Sequence, residues 1–121
     1  MDTALDAMMD TREARLELCD MAQAALGVVE RLVRGVAPSP DERGQLRRFV
    51  SDARSLLPDA GYPGEAAWRA LQRASIGIDT LGDVPDRSYW ADVETDLRAA
   101  IGTLSSLVRV GGRDADIHII G

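Results

Sequence analysis

Apolar residues recur at steps of three and four in four segments of the chain, which is the spacing of one face of an α-helix. The second segment is the clearest, because Ser39-Pro40-Asp41-Glu42 combines a capping Ser, a Pro at the first helical position and a Glu three residues after the cap. Pro58 is expected to end this helix. Its predicted apolar face contains Leu46, Phe49, Val50, Ala53, Leu56 and Leu57.

The third and fourth segments have the same spacing. Helix three is expected to begin near Gly64, after a turn-rich stretch, and to end at Gly82. Helix four follows Pro85-Asp86 and is expected to end at Gly111-Gly112. The predicted core residues of these two helices are Ala67, Trp68, Leu71, Ala74, Ile78 and Leu81, then Trp90, Val93, Leu97, Ile101, Leu104 and Val108.

The first segment is longer and less regular, and it extends from about Thr3 to Arg34, where Gly35 and Pro38 are expected to end it. Two interpretations stay open there. Either one helix covers the whole segment, or Asp10 caps a fresh helix with Glu13 in the third position, which would place a break near residue 10. The apolar face of its second half contains Leu18, Cys19, Ala22, Ala25, Leu26, Val29, Leu32 and Val33.

The links between the predicted helices are short, which favours antiparallel neighbours. The sequence therefore predicts an all-α fold, mainly an antiparallel four-helix bundle, formed as a single domain by residues 1–111. Residues 112–121 have no helical period and are predicted to be a short extended C-terminal tail. A lone strand cannot satisfy its own backbone groups, so an ordered tail would have to dock onto a surface or onto a second copy. The candidate docking residues are Ile117, His118, Ile119 and Ile120.

The composition narrows the classes of function. The chain has 121 residues and a net charge of −6, and its 14 basic residues are all arginine. Without lysine, Schiff-base, pyridoxal and P-loop chemistry are excluded. One His and one Cys cannot build the usual zinc site within one chain. We therefore predict a protein that is not an enzyme and that uses no cofactor and no metal.

Charge and hydropathy also indicate partners and location. The acidic balance disfavours nonspecific binding to nucleic acid, which depends on phosphate neutralisation, and favours a partner protein with a basic surface. The first residues are acidic rather than basic and then apolar, and no apolar run approaches about 20 residues, so we expect a cytoplasmic protein that does not enter membranes. Abundant Arg and Ala without Lys or Asn indicate GC-rich coding and a bacterial source.

Five acidic residues follow one another along the first helix at steps of four, three, four and three. They are Asp6, Asp10, Glu13, Glu17 and Asp20. On a continuous helix they form one stripe opposite the apolar face, either as a solvated surface or as a binding surface for a basic partner. Arg12 and Arg15 interrupt the apolar face nearby. They either lay their methylene stems along the bundle or contact a partner together with Met8 and Met9.

Other residues favour structural roles. Cys19 lies on the apolar face, where a thiol is usually a small hydrophobe. Asp114, Asp116 and His118 have a D-x-D-x-H spacing that could ligate a divalent cation, although packing of the tail is the stronger interpretation. Trp68 and Trp90 are expected to anchor the bundle.

These patterns lead to one functional prediction and two alternatives. We predict a non-enzymatic protein-interaction module, such as an adaptor, an immunity protein or an antitoxin-like regulator, that binds through its acidic and N-terminal helical surfaces. The first alternative is a small-ligand-binding bundle or enzyme with a pocket between helices near Trp68 and Trp90, using Tyr62, Tyr89 or carboxylates. The second is a structural protein that assembles with itself through residues 112–121.

Overall fold

The computed structural model describes residues 11–81 and 86–120, with side chains described for residues 11–80 and 86–108. This part of the chain forms four α-helices and contains no strand. They are α1 at Thr11–Val33, α2 at Pro40–Ala60, α3 at Tyr62–Leu81 and α4 at Arg87–Ile120. The predicted all-α fold is confirmed, while the question of a break near residue 10 lies outside the described residues.

Contacts between the helix ends establish that the helices are antiparallel. Arg31, near the end of α1, forms an ion pair with Glu42 at the start of α2. Cys19, in the first half of α1, has its Sγ 3.4 Å from Oγ of Ser105, which lies in the second half of α4. Gly61 is the one residue between α2 and α3, so these two helices reverse direction sharply. Because α1 packs against α2, α4 and, across the diagonal, α3, the helices form the predicted four-helix bundle.

Local signals at the junction of α1 and α2 act as the sequence predicts. Gly35 has a φ of 89°, and the N–H of Val36 donates to the carbonyl of Arg31 at 2.8 Å, which is the bond pattern of a glycine-terminated helix. Ser39 Oγ accepts from the backbone N–H of Glu42 at 3.2 Å. Glu42 in turn accepts from the backbone N–H of Ser39 at 2.9 Å. This reciprocal pair is the predicted capping box.

The boundary between α2 and α3 differs from the prediction. Pro58 lies inside α2, which continues to Ala60, and α3 begins at Tyr62 rather than near Gly64. Proline removes one backbone bond, but the N–H of Gly61 donates to the carbonyl of Leu57 at 3.0 Å and closes the final turn. The chain then reverses at Gly61, where φ is 78° and a side chain would be strained.

The carboxyl end also differs, because α4 continues through Gly111 and Gly112 to Ile120. The prediction of an extended tail is therefore wrong for residues 112–120. Glycine costs about 1 kcal/mol relative to alanine in a helix interior, whereas proline costs about 3 kcal/mol, so a glycine pair weakens a helix without ending it. The side chains of Ile117, His118, Ile119 and Ile120 lie outside the described residues, and their predicted docking role stays a prediction.

The core lies between the four helices and is apolar throughout the described part of the chain. Every helix contributes predicted core positions that are buried, and Cys19 is among them with 6% of its surface exposed. Other predicted positions are partly buried against this core, namely Leu26, Leu32, Val33, Phe49, Val50, Trp68 and Ile101. Leu16 of α1 is exposed at 36%. The largest fully buried side chains are Trp90, Leu18, Leu46, Leu71, Leu97, Leu104, Val29 and Val93.

Glycine allows α3 to approach its neighbours closely. A Cβ placed on Gly77 would meet the ring of Tyr89 and would lie 2.8 Å from Cη2 of Trp90. These two aromatic residues come from the first turn of α4, and their rings meet edge to face with centroids 5.1 Å apart. The absence of a side chain at position 77 is therefore what admits this aromatic pair against α3.

Candidate functional site

The acidic stripe predicted on the first helix lies partly within the described residues. Glu13, Glu17 and Asp20 are exposed on α1, whereas Asp6 and Asp10 lie outside the described residues. Glu17 and Asp20 border Met21, which is 9% exposed and belongs to the core. The described part of the stripe is therefore exposed, and at Met21 it reaches the edge of the buried face.

A groove of about 450 Å³ separates α1 from α2 beside this stripe, and we name it the acidic groove. Its lining residues are Glu17, Asp20 and Met21 of α1 with Phe49, Asp52, Ser55 and Leu56 of α2. Phe49, Asp52 and Leu56 are three, four and seven residues apart, so they share one face of α2. The groove therefore has an apolar floor with carboxylates from both helices beside it.

The carboxylates of the acidic groove are not neutralised by neighbouring arginines. Within the described residues, Glu17, Asp20 and Asp52 form no ion pair, as is also the case for Glu13, Asp41, Asp59 and Asp92, whereas six other carboxylates are paired with arginine. The pairs between helices are Glu30 with Arg98, Arg47 with Asp79, Arg31 with Glu42, and Arg73 with Asp96. Arg48 lies one helical turn before Asp52, but it does not line the groove. The groove thus concentrates negative charge.

Arg15, a predicted partner-binding residue, has a structural role in this fold. Its Nε donates to the carbonyl of Ala60 at 3.0 Å, and its side chain is partly buried. Ala60 is the last residue of α2, where backbone carbonyls lack helical partners and a positive charge is favourable. The geometry supports the interpretation that Arg15 lies along the bundle. Arg12, the other arginine of this pair, is exposed.

A second groove lies between α3 and α4 and has a volume of about 560 Å³. Its floor consists mainly of small apolar residues, and its charged residues are paired. The floor contains Ala66, Ala70, Ala99 and Ala100. Arg69 pairs with Glu65 at 2.6 Å, and Arg73 pairs with Asp96 across the two helices. Tyr62, at one end, is 87% exposed. This groove is close to neutral and has no concentrated charge.

The structure does not bring Trp68 and Trp90 together. Trp90 packs on Gly77 of α3. Gly77 lies nine residues after Trp68, which places it on the opposite side of α3 and about 13 Å from Trp68 along the helix axis. Trp68 instead faces α2, with Cζ of Arg54 6.0 Å from its ring centroid. Neither tryptophan lines either groove. Neither of the two grooves is therefore the predicted pocket between helices near Trp68 and Trp90, which stays a prediction.

Two polar groups on aromatic residues have contrasting environments. The hydroxyl of Tyr89 donates to the backbone carbonyl of Arg73 at 2.5 Å, so this residue ties α4 to α3. The indole Nε1 of Trp68 is buried and has no hydrogen-bond partner within the described part of the chain. Because neither residue lines a groove, neither extends the candidate site.

The described residues contain neither a metal-binding cluster nor a candidate membrane span. Among them, no three His, Cys, Asp or Glu side chains are arranged to hold a metal ion. The side chains of Asp114, Asp116 and His118 lie outside this set. None of the described helices combines the length and the apolar character that a membrane span requires.

Of the two grooves, the acidic groove is the one in which like charges from two helices converge around apolar residues. Sequence reasoning identified Glu17 and Asp20 but missed Phe49, Asp52 and Leu56, because spacing within a helix does not show which helix will lie beside it. The chain matches no protein-family model, no curated protein sequence and no solved structure. Its function is therefore inferred from the chemistry of the groove.

Proposed function

We propose that this protein is a non-enzymatic protein-interaction module, of the adaptor, immunity-protein or antitoxin-like kind, that binds a basic surface of a partner protein at the acidic groove. One observation carries the proposal. Glu17 and Asp20 of α1 and Asp52 of α2, none of them in an ion pair within the described residues, line one groove with an apolar floor.

The charges of the groove favour a cationic partner for a physical reason. Three carboxylates that line one groove give it a negative potential, and an arriving arginine or lysine can form ion pairs with them. Such pairs strengthen as the partner excludes water, because the effective dielectric falls. Complementary charge also steers encounter and excludes partners of the wrong sign. The groove can thus select a basic protein.

Apolar burial provides the second contribution to binding. Met21, Phe49 and Leu56 line the groove, and Phe49 is only partly buried in the free protein. Covering apolar surface contributes about 25 cal/mol for each Å² removed from water. Binding should therefore combine a salt-sensitive contribution from the carboxylates with a salt-insensitive one from the floor.

The test compares two variants with equal changes in charge. The groove variant is E17Q/D20N/D52N, and the control is E65Q/D92N/E94Q, which removes three carboxylates from α3 and α4. Each variant and the wild-type protein would be used to capture partners from the native host, with the captured chains identified and quantified by mass spectrometry. The capture would be repeated at 0.1 M and 1 M NaCl, where the Debye length falls from about 10 Å to about 3 Å.

The proposal predicts that a specific basic chain is captured by the wild-type protein and by the control but not by the groove variant. Its capture should fall at the higher salt concentration, because exposed charges are then screened. If the groove variant captures the same chain as strongly as the wild-type protein does, the acidic groove is not the binding surface and the proposal is wrong.

The groove between α3 and α4 supports a second candidate function, the binding of a small ligand. Its volume of about 560 Å³ lies within the range of about 300 to 1,000 Å³ that ligand sites occupy. A bound ligand raises the melting temperature, since it stabilises the folded state alone. A compound that raises the melting temperature of the wild-type protein but not of A99L, whose larger side chain would fill the floor, would support this candidate.

A further inference from the structure

The dimensions of the acidic groove restrict what can occupy it. On α1 the lining residues extend from Glu17 to Met21, and on α2 they extend from Phe49 to Leu56. At a rise of 1.5 Å per residue, these stretches are about 6 Å and about 10 Å long. The groove is therefore about two helical turns in length, which is enough for one short segment of a partner.

The arrangement of charge further defines the occupant. Carboxylates lie on both sides of the groove, with Glu17 and Asp20 on α1 and Asp52 on α2. The apolar floor of Met21, Phe49 and Leu56 lines the same groove. A complementary segment needs an apolar ridge with positive charge on both sides of it. Residues i, i+3 or i+4, and i+7 of a helix form such a ridge over about 10 Å, with the flanking positions free for arginine or lysine.

An extended segment fits this surface poorly. Successive side chains of a strand point to opposite sides, so half of them would leave the groove. Strand addition also needs an open sheet edge with free backbone groups, and the described part of the chain consists of helices and their links. A helix forms its backbone hydrogen bonds within itself, so a helical segment needs no hydrogen bonds to the backbone of this protein.

We propose that the acidic groove binds a single amphipathic α-helix of another protein, whose apolar ridge covers Met21, Phe49 and Leu56 and whose arginine or lysine residues face the carboxylates on both sides. This inference rests on the proposed function and adds the shape of the partner to it. A second copy of this chain is a poor occupant, because each copy has a net charge of −6 and two acidic copies repel each other.

The test uses three synthetic peptides of identical length and composition, built from leucine, arginine, alanine and one proline. In the first, the leucines have helical i, i+3, i+7 spacing with flanking arginines, and the proline is at the amino end. The second has the same residues in scrambled order, and the third moves the proline to the centre of the amphipathic order. Proline in the interior of a helix costs about 3 kcal/mol, so the third peptide cannot present a continuous ridge. Binding is measured by fluorescence anisotropy.

We expect the first peptide to bind at least about tenfold more tightly than either of the others, which corresponds to about 1.4 kcal/mol. F49A should weaken its binding about tenfold or more, because truncating a central aromatic residue commonly has an effect of this size. Since Phe49 also contacts the core, S55R provides a second test that leaves the core unchanged. In S55R the exposed Ser55 is replaced by a cation inside the groove, so S55R should weaken the binding of the first peptide. The matched control is S106R on α4, which should leave this binding unchanged.

The outcomes separate this inference from the proposed function. If all three peptides bind equally, and E17Q/D20N/D52N abolishes that binding, the groove recognises basic charge and the helical mode is wrong while the proposed function stands. If S55R and S106R leave the binding of the first peptide equally unchanged, the peptide is bound elsewhere and the helical mode is again wrong. If no peptide binds and no host chain depends on the groove carboxylates, both are wrong.

Discussion

At Gly77, where α3 and α4 approach closely, we expect an alanine substitution to lower the stability of the fold, although helix propensity alone would raise it. Replacing Gly77 with alanine would normally stabilise a helix interior by about 1 kcal/mol. At this position the new Cβ would meet the ring of Tyr89 and would lie 2.8 Å from Cη2 of Trp90. Carbon atoms in favourable contact are about 3.5 to 4 Å apart, so the side chain cannot be accommodated without movement.

The rings have little freedom to move away. Trp90 is only 2% exposed, and the hydroxyl of Tyr89 is bonded to the carbonyl of Arg73 at 2.5 Å. Inserting a methyl group into such a site typically costs about 1 to 3 kcal/mol. After the gain in propensity is subtracted, we expect G77A to lower the free energy of unfolding by up to about 2 kcal/mol.

The assay is urea unfolding followed by far-ultraviolet circular dichroism, with G102A as the matched control. Gly102 also lies inside a helix, but a Cβ there meets nothing within 4 Å, so G102A should raise the free energy of unfolding by about 0.5 to 1 kcal/mol. In the Y89A background, G77A should cost less, because the nearest obstructing ring has been removed. If G77A stabilises the protein as much as G102A does, the close packing of α3 against the aromatic pair of α4 is wrong.

Three further predictions concern single side chains. R15A should lower the free energy of unfolding by about 1 kcal/mol, because the carbonyl of Ala60 loses its donor, whereas R48A should change it by less than about 0.5 kcal/mol in the same urea assay. Hydrogen bonds from the backbone of Ser39 and from the side chain of Arg31 lower the pKa of Glu42 from 4.5. The charged form of Glu42 therefore stabilises the fold fully above pH 4.5, and this stabilisation disappears as the pH falls through the folded-state pKa. Urea unfolding of the wild-type protein and of E42Q across that pH range should show the difference between them vanish in the same way. Cys19 is buried, so its thiol should react with a disulfide reagent only as fast as the protein opens, and rapid labelling of the native state would contradict the packing of α1 against α4.

Predictions from the sequence succeeded where the signal is local and has a single physical solution. The Ser39 cap, the termination at Gly35 and the apolar spacing of each helix are all present in the fold. Each depends on bonds or faces within a few residues, so no knowledge of neighbouring elements is needed. The helices and their antiparallel order could therefore be predicted from the chain alone.

The same local reasoning failed where a signal lowers helix stability without abolishing it. Pro58 was expected to end α2, and Gly111-Gly112 was expected to end α4, yet both helices continue past these residues. A helix continues past an unfavourable residue when the hydrogen bonds and packing of the following residues stabilise the helix more than they stabilise another conformation. That free-energy difference depends on residues farther along the chain. At Gly61 the alternative is a residue with positive φ that leads directly into α3, a conformation that glycine adopts without strain, which explains why α2 ends there.

The acidic groove shows how far helical spacing can lead toward a site. Steps of three and four correctly placed Glu17 and Asp20 on one exposed stripe of α1. The same spacing places Phe49 and Asp52 on one face of α2, but it does not indicate that this face borders α1. A charge stripe on one helix has two interpretations, since solvation explains it as well as binding does. Carboxylates from two helices beside shared apolar residues favour the proposed binding more than a stripe on one helix does, because a partner would meet negative charge from both helices and apolar surface in the same groove.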